Sequence, residues 1–228
     1  MKDKGYGVKV DNAPPTARHL LRRSVIVALA LCSLGVAPCR GQDTWQEEAD
    51  RLATLLNWHP GSVVAEVGAS QGKLTLAAAQ RVGPSGKVYS TELDAKALAH
   101  LEELAAKERN ITVVKAAEAD TNLSAGCCDS IFMRLVYHHL TKPAEIDASL
   151  FRSLKPGGRL AVIDEDPYKG TSIPEGVPKN RGGHGVPQRI LISELVGAGF
   201  EVETVDNDWP SRDAFHLIYC VVFRKTRP

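Results

Sequence analysis

The sequence predicts an α/β protein built on a doubly wound sheet of seven strands, mostly parallel. Three observations lead there. Short apolar runs alternate with amphipathic segments from about residue 43 to residue 199. Glycine- or proline-bearing turns separate them, and the last two apolar runs follow each other with no helical segment between. Strands that alternate with helices pair in parallel through right-handed crossovers, and a missing last crossover leaves the final strand antiparallel.

Trp45, Ala49, Leu52 and Leu56 recur at helical spacing and predict an amphipathic helix, which His59-Pro60-Gly61 ends. Ser62 to Val67 reads as a buried strand. A helix over Gly72 to Arg81, the Gly83-Pro84-Ser85-Gly86 turn, and a strand over Lys87 to Thr91 follow. Asp94 to Arg109 carries Leu98, Leu101 and Ala105 on one helical face, and strands are expected at Ile111 to Lys115 and Asp129 to Leu135. A helix over Pro143 to Leu154 leads through Lys155-Pro156-Gly157-Gly158 to a strand over Arg159 to Asp164. The last helix runs from Pro187 to Ala198 with Gly199 as its stop, before strands Phe200 to Val205 and His216 to Phe223.

The 228 residues suffice for one domain with a full core plus a short appendage. The formal charge of +1 is spread evenly, with no basic face interleaved with aromatics, so nucleic acid is not an expected partner. The five cysteines show no C-x-x-C spacing, and no metal site is expected. They read as small packing residues.

A terminal segment over 1–41, signal-like or membrane-anchoring, and one domain over 42–228 are expected. In the first, Arg22 and Arg23 precede an almost wholly apolar run from Ser24 to Ala37, and a polar, acidic stretch follows. The run is shorter than the roughly 20 residues that span a bilayer, so it reads as a secretory signal. Export to the periplasm or outside is the expectation. The alternatives are membrane contact through residues 20–39, or a cytoplasmic product if the start codon is misassigned.

Ligands of an open α/β sheet bind beyond the carboxyl ends of the strands where strand order reverses, which directs attention to the first strand-to-helix turn. It reads Glu66-Val67-Gly68-Ala69-Ser70-Gln71-Gly72. The segment resembles the acidic-x-Gly-x-Gly-x-Gly signature of class I S-adenosylmethionine-dependent methyltransferases, in particular the type 11, ubiquinone-biosynthesis-like domain. Ser70 stands at the middle glycine, which fits if its φ is negative. The resemblance extends over nearly all of Val63 to Gly199 and implies a Rossmann-like fold with S-adenosylmethionine as cofactor. Glu66, Gly68, Ser70 and Gly72 would hold its methionine end. Glu92, 20 residues past Gly72, would hold both ribose hydroxyls, with Leu93 beside it. Ala117 occupies the position of the family's adenine-contacting acid, with Glu118 as its substitute, and Leu135 closes the fourth strand.

Methyl transfer needs in-line attack on the sulfonium methyl, so positioning and desolvation supply most of the acceleration, and a base is needed only if the acceptor must lose a proton. His138 and Asp166 are the catalytic candidates. Tyr137, His139, Tyr168 and His184 are candidate substrate contacts, the last two in the long segment Glu165 to Val186, read as a substrate lid that also carries Arg181. A small or medium-sized acceptor is expected. Three rivals stand beside this reading. A protein isoaspartyl carboxyl methyltransferase shares the first two motifs, but the Tyr137-His138-His139 turn argues against it. A non-catalytic binding protein on the same fold draws support from Ser70 and Ala117. A nicotinamide-dependent reductase lacks its G-x-G-x-x-G spacing here, and Glu66 would repel a pyrophosphate.

Overall fold

A computed structural model of the chain describes residues 40–168, 170–210 and 218–226. The apolar run from Ser24 to Ala37, with Cys32 and Cys39, lies outside them. Among the described residues no helix is long and apolar enough to cross a membrane.

The elements follow as α1 (Arg40–Leu56), β1 (Val63–Val67), α2 (Lys73–Val82), β2 (Lys87–Glu92), α3 (Ala95–Ala105), β3 (Ile111–Lys115) and β4 (Cys128–Arg134). Then come α4 (Pro143–Ser153), β5 (Leu154–Glu165), α5 (Gln188–Gly197), β6 (Phe200–Trp209) and β7 (Ile218–Lys225). Short 3-10 turns sit at Tyr137–His139 and Lys179–Arg181. The seven strands form one sheet in the order β3-β2-β1-β4-β5-β7-β6. β1 is parallel to β2 and β4, while β7 is antiparallel to β5 and β6. The doubly wound, Rossmann-like architecture with an antiparallel last strand is therefore what the chain adopts.

Three boundaries moved furthest. α3 stops at Ala105 rather than Arg109, and the released residues turn so that the Asn110 side-chain amide donates to the carbonyls of Ala79 and Gly83. The Lys155-Pro156-Gly157-Gly158 segment is the irregular start of β5, with a register shift against Cys128 and Ser130. β6 runs on to Trp209, whose indole donates to Glu48 of α1 at 2.9 Å.

Successive strand residues face opposite sides, and the core divides accordingly. Val64, Phe132, Ala161, Ile163 and Val222 meet α1 and α2 through Leu52, Leu74 and Ala78. Ala65, Ile131, Met133, Leu160 and Val221 meet α4 and α5 through Leu150, Leu191 and Leu195. Each fully buried Leu contributes about 1.5–3 kcal/mol of transfer free energy. This two-sided burial holds rigid the strand ends from which the site is built.

Candidate functional site

Strand order reverses between β1 and β4, and there the ends of β1, β2 and β4 open onto a cavity of about 610 Å³. Its lining includes Trp45, Glu66, Gly68, Ser70, Lys73, Glu92, Leu93, Arg134, Leu135, Val136 and His139. Six of the expected cofactor residues thus share one cavity: Glu66, Gly68, Ser70, Glu92, Leu93 and Leu135.

Gly68 adopts φ +76, and a Cβ there would fall 2.4 Å from Val136 Cγ2, so only glycine leaves the turn open. Gly72 lies behind the cavity instead of lining it. At φ +67 its missing Cβ would sit 2.8 Å from methyls of Leu101 and Leu104, so this glycine serves the packing of the turn on α3. Ser70 has φ +49, against the expected negative value. Its N–H donates to Glu92 Oε2 at 2.9 Å, and this bond holds the serine in the left-handed region. Leu135 is also left-handed at φ +54, where its N–H donates to the Ile163 carbonyl at 2.8 Å. Two such residues on one cavity are a local backbone cost of the kind that accumulates at functional sites.

The Glu66 side chain is buried beneath the turn, hydrogen-bonded to Thr75 Oγ1, which lies 2.9 Å from Ser90 Oγ. Burial pushes its carboxyl up to about 8, only partly offset by the Thr75 hydrogen bonds. The group is therefore mostly protonated at neutral pH, and charge repulsion of a pyrophosphate does not exclude a dinucleotide as expected. Glycine spacing does that. A cationic ligand group seated above Glu66 would favour its ionised form.

Glu92 Oε2 accepts from Ser70 N, and Oε1 accepts from Leu93 N at 2.7 Å and Asp94 N at 3.3 Å. Three of about four acceptor positions are thus in use, so Glu92 anchors the glycine turn to β2 and has room for one ribose hydroxyl directly. The second would need the long Asp94 contact to open. Leu93, 54% exposed, offers an apolar surface for a base. Ala117 and Glu118 stand outside the cavity. Ala117 is engaged in a backbone bridge with Asp120, while Glu118 accepts from Thr141 Oγ1 at 2.6 Å and faces Lys142 Nζ at 3.5 Å. Those two partners hold the Glu118 carboxyl below its ordinary range, with the Thr141 hydrogen bond the larger cause. The cradle left by Gly68, the acid beneath it and the acid at the β2 end together fit S-adenosylmethionine, and Lys73 and Arg134 are the cations on the same lining.

The other side of the cavity departs further from expectation. His139 lines it and His138 packs against His139, with ring centroids 4.1 Å apart. His138 is buried, and its Nδ1 lies 2.6 Å from Asp164 Oδ1, while its backbone N–H donates to Asp164 Oδ2. Asp164, not Asp166, is the carboxylate behind the histidine. Asp166 is exposed and accepts from the backbone N–H of Gln188 at 3.2 Å, in effect capping α5 where Pro187 cannot. β5 ends at Glu165, so Asp166 lies past the strand, in the chain that turns away toward the start of α5.

Tyr137 also needs correcting as a substrate contact. It is fully buried, and its hydroxyl donates to Asp147 at 2.9 Å and Glu194 at 3.0 Å, tying the turn to α4 and α5. Burial drives the Tyr137 hydroxyl far up and raises Asp147 to about 7. Arg181 is likewise buried, paired with Glu194 at 2.9 Å and 5.6 Å from the Tyr137 ring, so it anchors the long loop rather than facing a substrate. Tyr168 donates to Glu165 at 2.6 Å, and that loop delivers His184 to within 4.5 Å of the His138 ring and 5.1 Å of His139. His139 is held below its ordinary pKa, first by burial and then by the two imidazoles beside it.

Sequence reasoning did not reach Trp45, Arg134, Val136 or Asp164. Trp45 had read as a core residue of α1, yet it lines the cavity, with the Arg134 guanidinium 5.3 Å from its ring. Arg134 also donates to Glu48 at 2.7 Å, which docks α1 over the strand ends. A lone arginine at the end of an apolar strand was the available signal.

Comparison with known proteins agrees with this geometry. A family model described as a methyltransferase domain matches residues 65–162, from β1 into β5. A nocamycin O-methyltransferase of Saccharothrix syringae is 26% identical over 136 residues, which is 58% of this chain. The chain spans about half, 48%, of that relative's length. Among solved structures, a SAM-dependent methyltransferase from Aquifex aeolicus superposes with TM-score 0.64 at 23% identity, over 82% of this chain and 96% of the other. A possible exported protein from Bordetella parapertussis gives TM-score 0.58 at 19% identity, over 82% and 67%. At these identities the superpositions speak for the fold, while the family model speaks for a methyltransferase domain over the residues it matches. Residues 65–162 thus match a methyltransferase domain, and S-adenosylmethionine is the cofactor that such a domain implies and that the cavity fits.

Proposed function

We propose that the chain transfers a methyl group from S-adenosylmethionine to an oxygen of a small or medium-sized organic acceptor. The observation that carries this reading is the imidazole edge of the cavity: His139 lines it together with the glycine turn, backed by His138 and Asp164. The bound cofactor supplies the methyl group and its own leaving group. A hydroxyl acceptor must also lose its proton, and imidazoles near neutrality suit that role. The turn from Glu66 to Ser70 would fix the methionine end, Glu92 the ribose and Leu93 the base. Trp45 and Leu135 would exclude water from the reacting side. A small acceptor is also what the name of the nocamycin relative suggests. The isoaspartyl alternative is not favoured.

Calorimetric titration of the full chain with S-adenosylmethionine, S-adenosylhomocysteine and NADH tests the cofactor side, with binding of the first two and none of the third expected. Formation of S-adenosylhomocysteine over a panel of phenols, enols, carboxylic acids, amines and thiols tests the acceptor side. Turnover confined to amines or thiols would overturn the oxygen assignment. We infer further that residues 1–41 form a secretory segment ahead of a 42–228 catalytic domain, a reading supported by Arg22, Arg23 and the apolar run after them. Cell fractionation with N-terminal sequencing is the test, and a cytoplasmic product with an intact N-terminus would refute it.

A further inference from the structure

We propose that His138, His139 and His184 form a binding site for a divalent transition-metal ion of the zinc class, at the rim of the cofactor cavity. One ring nitrogen from each lies within 4.8 Å of the other two. An ion about 2.0–2.1 Å from each nitrogen in tetrahedral geometry needs them roughly 3.4 Å apart. Modest ring rotations close that gap. His139 is exposed and His184 is carried by a loop, so both have freedom to move onto the buried His138.

The position of His138 is the strongest argument. Only 2% exposed, it presents Nδ1 to Asp164 at 2.6 Å, which places its proton on that nitrogen and leaves Nε2 as an acceptor. Nε2 is buried and has no hydrogen-bond partner. A buried acceptor in that state calls for an occupant. Asp164 behind the ring is the arrangement that orients metal-bound histidines, and His184 repeats it, with Nδ1 3.5 Å from Glu165 Oε1. Consecutive acids at the end of β5 thus stand behind two of the three rings. An all-imidazole donor set suits zinc, cobalt, nickel or copper and excludes magnesium or calcium, which take oxygen ligands.

Three ligands leave a position open toward the cavity that His139 lines. This consequence rests on the oxygen-acceptor reading above. There the acceptor hydroxyl would bind the ion, its pKa would fall, and its proton would pass to solvent. Its oxygen then forms the bond to carbon as the carbon–sulfur bond of the sulfonium breaks.

The test uses the full chain, stripped with a chelator and titrated with Co²⁺ alone, then with Zn²⁺ in competition. The expected result is one Co²⁺ per chain, with the intense visible absorption of four- or five-coordinate nitrogen ligation, abolished by one equivalent of Zn²⁺. His184→Ala, on the accessible side of the cluster, is expected to weaken binding at least about 100-fold, and Asp164→Asn about 10- to 100-fold. S-adenosylhomocysteine calorimetry runs on each protein. Absent or six-coordinate Co²⁺, or an affinity unchanged in His184→Ala, would overturn the metal site even where cofactor binding is intact. Loss of cofactor binding with metal retained would strike the methyl-transfer reading alone.

Discussion

The two sides of the cavity are built differently. The cofactor side comes almost entirely from two adjacent strand ends: Glu66, Gly68 and Ser70 follow β1, Glu92 and Leu93 close β2, and one backbone-to-carboxylate bond from Ser70 to Glu92 joins them. The proposed acceptor side gathers His138 and His139 after β4, Asp164 at the end of β5, and His184 from the loop before α5. The first is short-range in sequence and held by backbone geometry. The second depends on side chains and on a loop anchored from below by Arg181, Glu194 and Tyr137. A backbone-built site tolerates little change in its glycines, whereas a side-chain-built one can be altered residue by residue while the fold persists.

Gly68→Ala should show that contrast most strongly. The new Cβ meets Val136 in a backbone conformation that L-residues avoid, so a loss of about 2–4 kcal/mol in stability, together with cofactor binding, is expected by thermal melting and calorimetry. If affinity survives, the cofactor side is not backbone-built.

Glu66 provides a pH test. Its carboxyl titrates near 8 in the folded chain, against 4.5 for the ordinary group, so the folded state holds the proton more tightly. The stability it contributes is therefore greatest below pH 4.5 and is lost as pH rises through 8. Glu66→Gln should flatten that decline in urea titrations between pH 5 and pH 9. At pH 7, binding of the cationic cofactor should release close to one proton, read by calorimetry in buffers of different ionisation enthalpy. No proton release would mean that the ligand's cationic end lies elsewhere.

Glu92→Ala removes an anchor of the turn as well as the proposed ribose contact. Cofactor affinity should fall by about 1–3 kcal/mol, roughly ten- to a hundredfold. Tyr137→Phe probes the scaffold under the acceptor side. It deprives Asp147 and Glu194 of a donor and should cost about 1–2 kcal/mol in stability, with cofactor affinity unchanged. A selective loss of acceptor affinity would return Tyr137 to the substrate. The smallest effect is expected of Ser70→Gly, which relieves a left-handed serine and should stabilise the chain by at most about 1 kcal/mol.

The order of helices and strands was legible because each apolar run carries its own period, and burial on both sheet faces enforces it. The cofactor turn was legible for a related reason: a strand, a tight turn and a helix are contiguous, and a glycine with a positive φ leaves its mark on the sequence. Glu92 followed from its fixed distance past the turn. What sequence could not supply was the direction of side chains after β4 and β5. Tyr137, His138 and His139 are consecutive, yet one enters the core, one turns to Asp164 and one lines the cavity. Likewise, nothing local distinguishes Asp164 from Asp166, and the meeting of His184 with residues some 45 positions earlier depends on a loop anchored by the buried Arg181. By itself, the sequence determined the architecture and the cofactor end, because both depend on short-range periodicity and backbone conformation. The tertiary structure alone decided which side chains form the imidazole cluster, because that depends on which way each strand end points and on where a long loop is anchored.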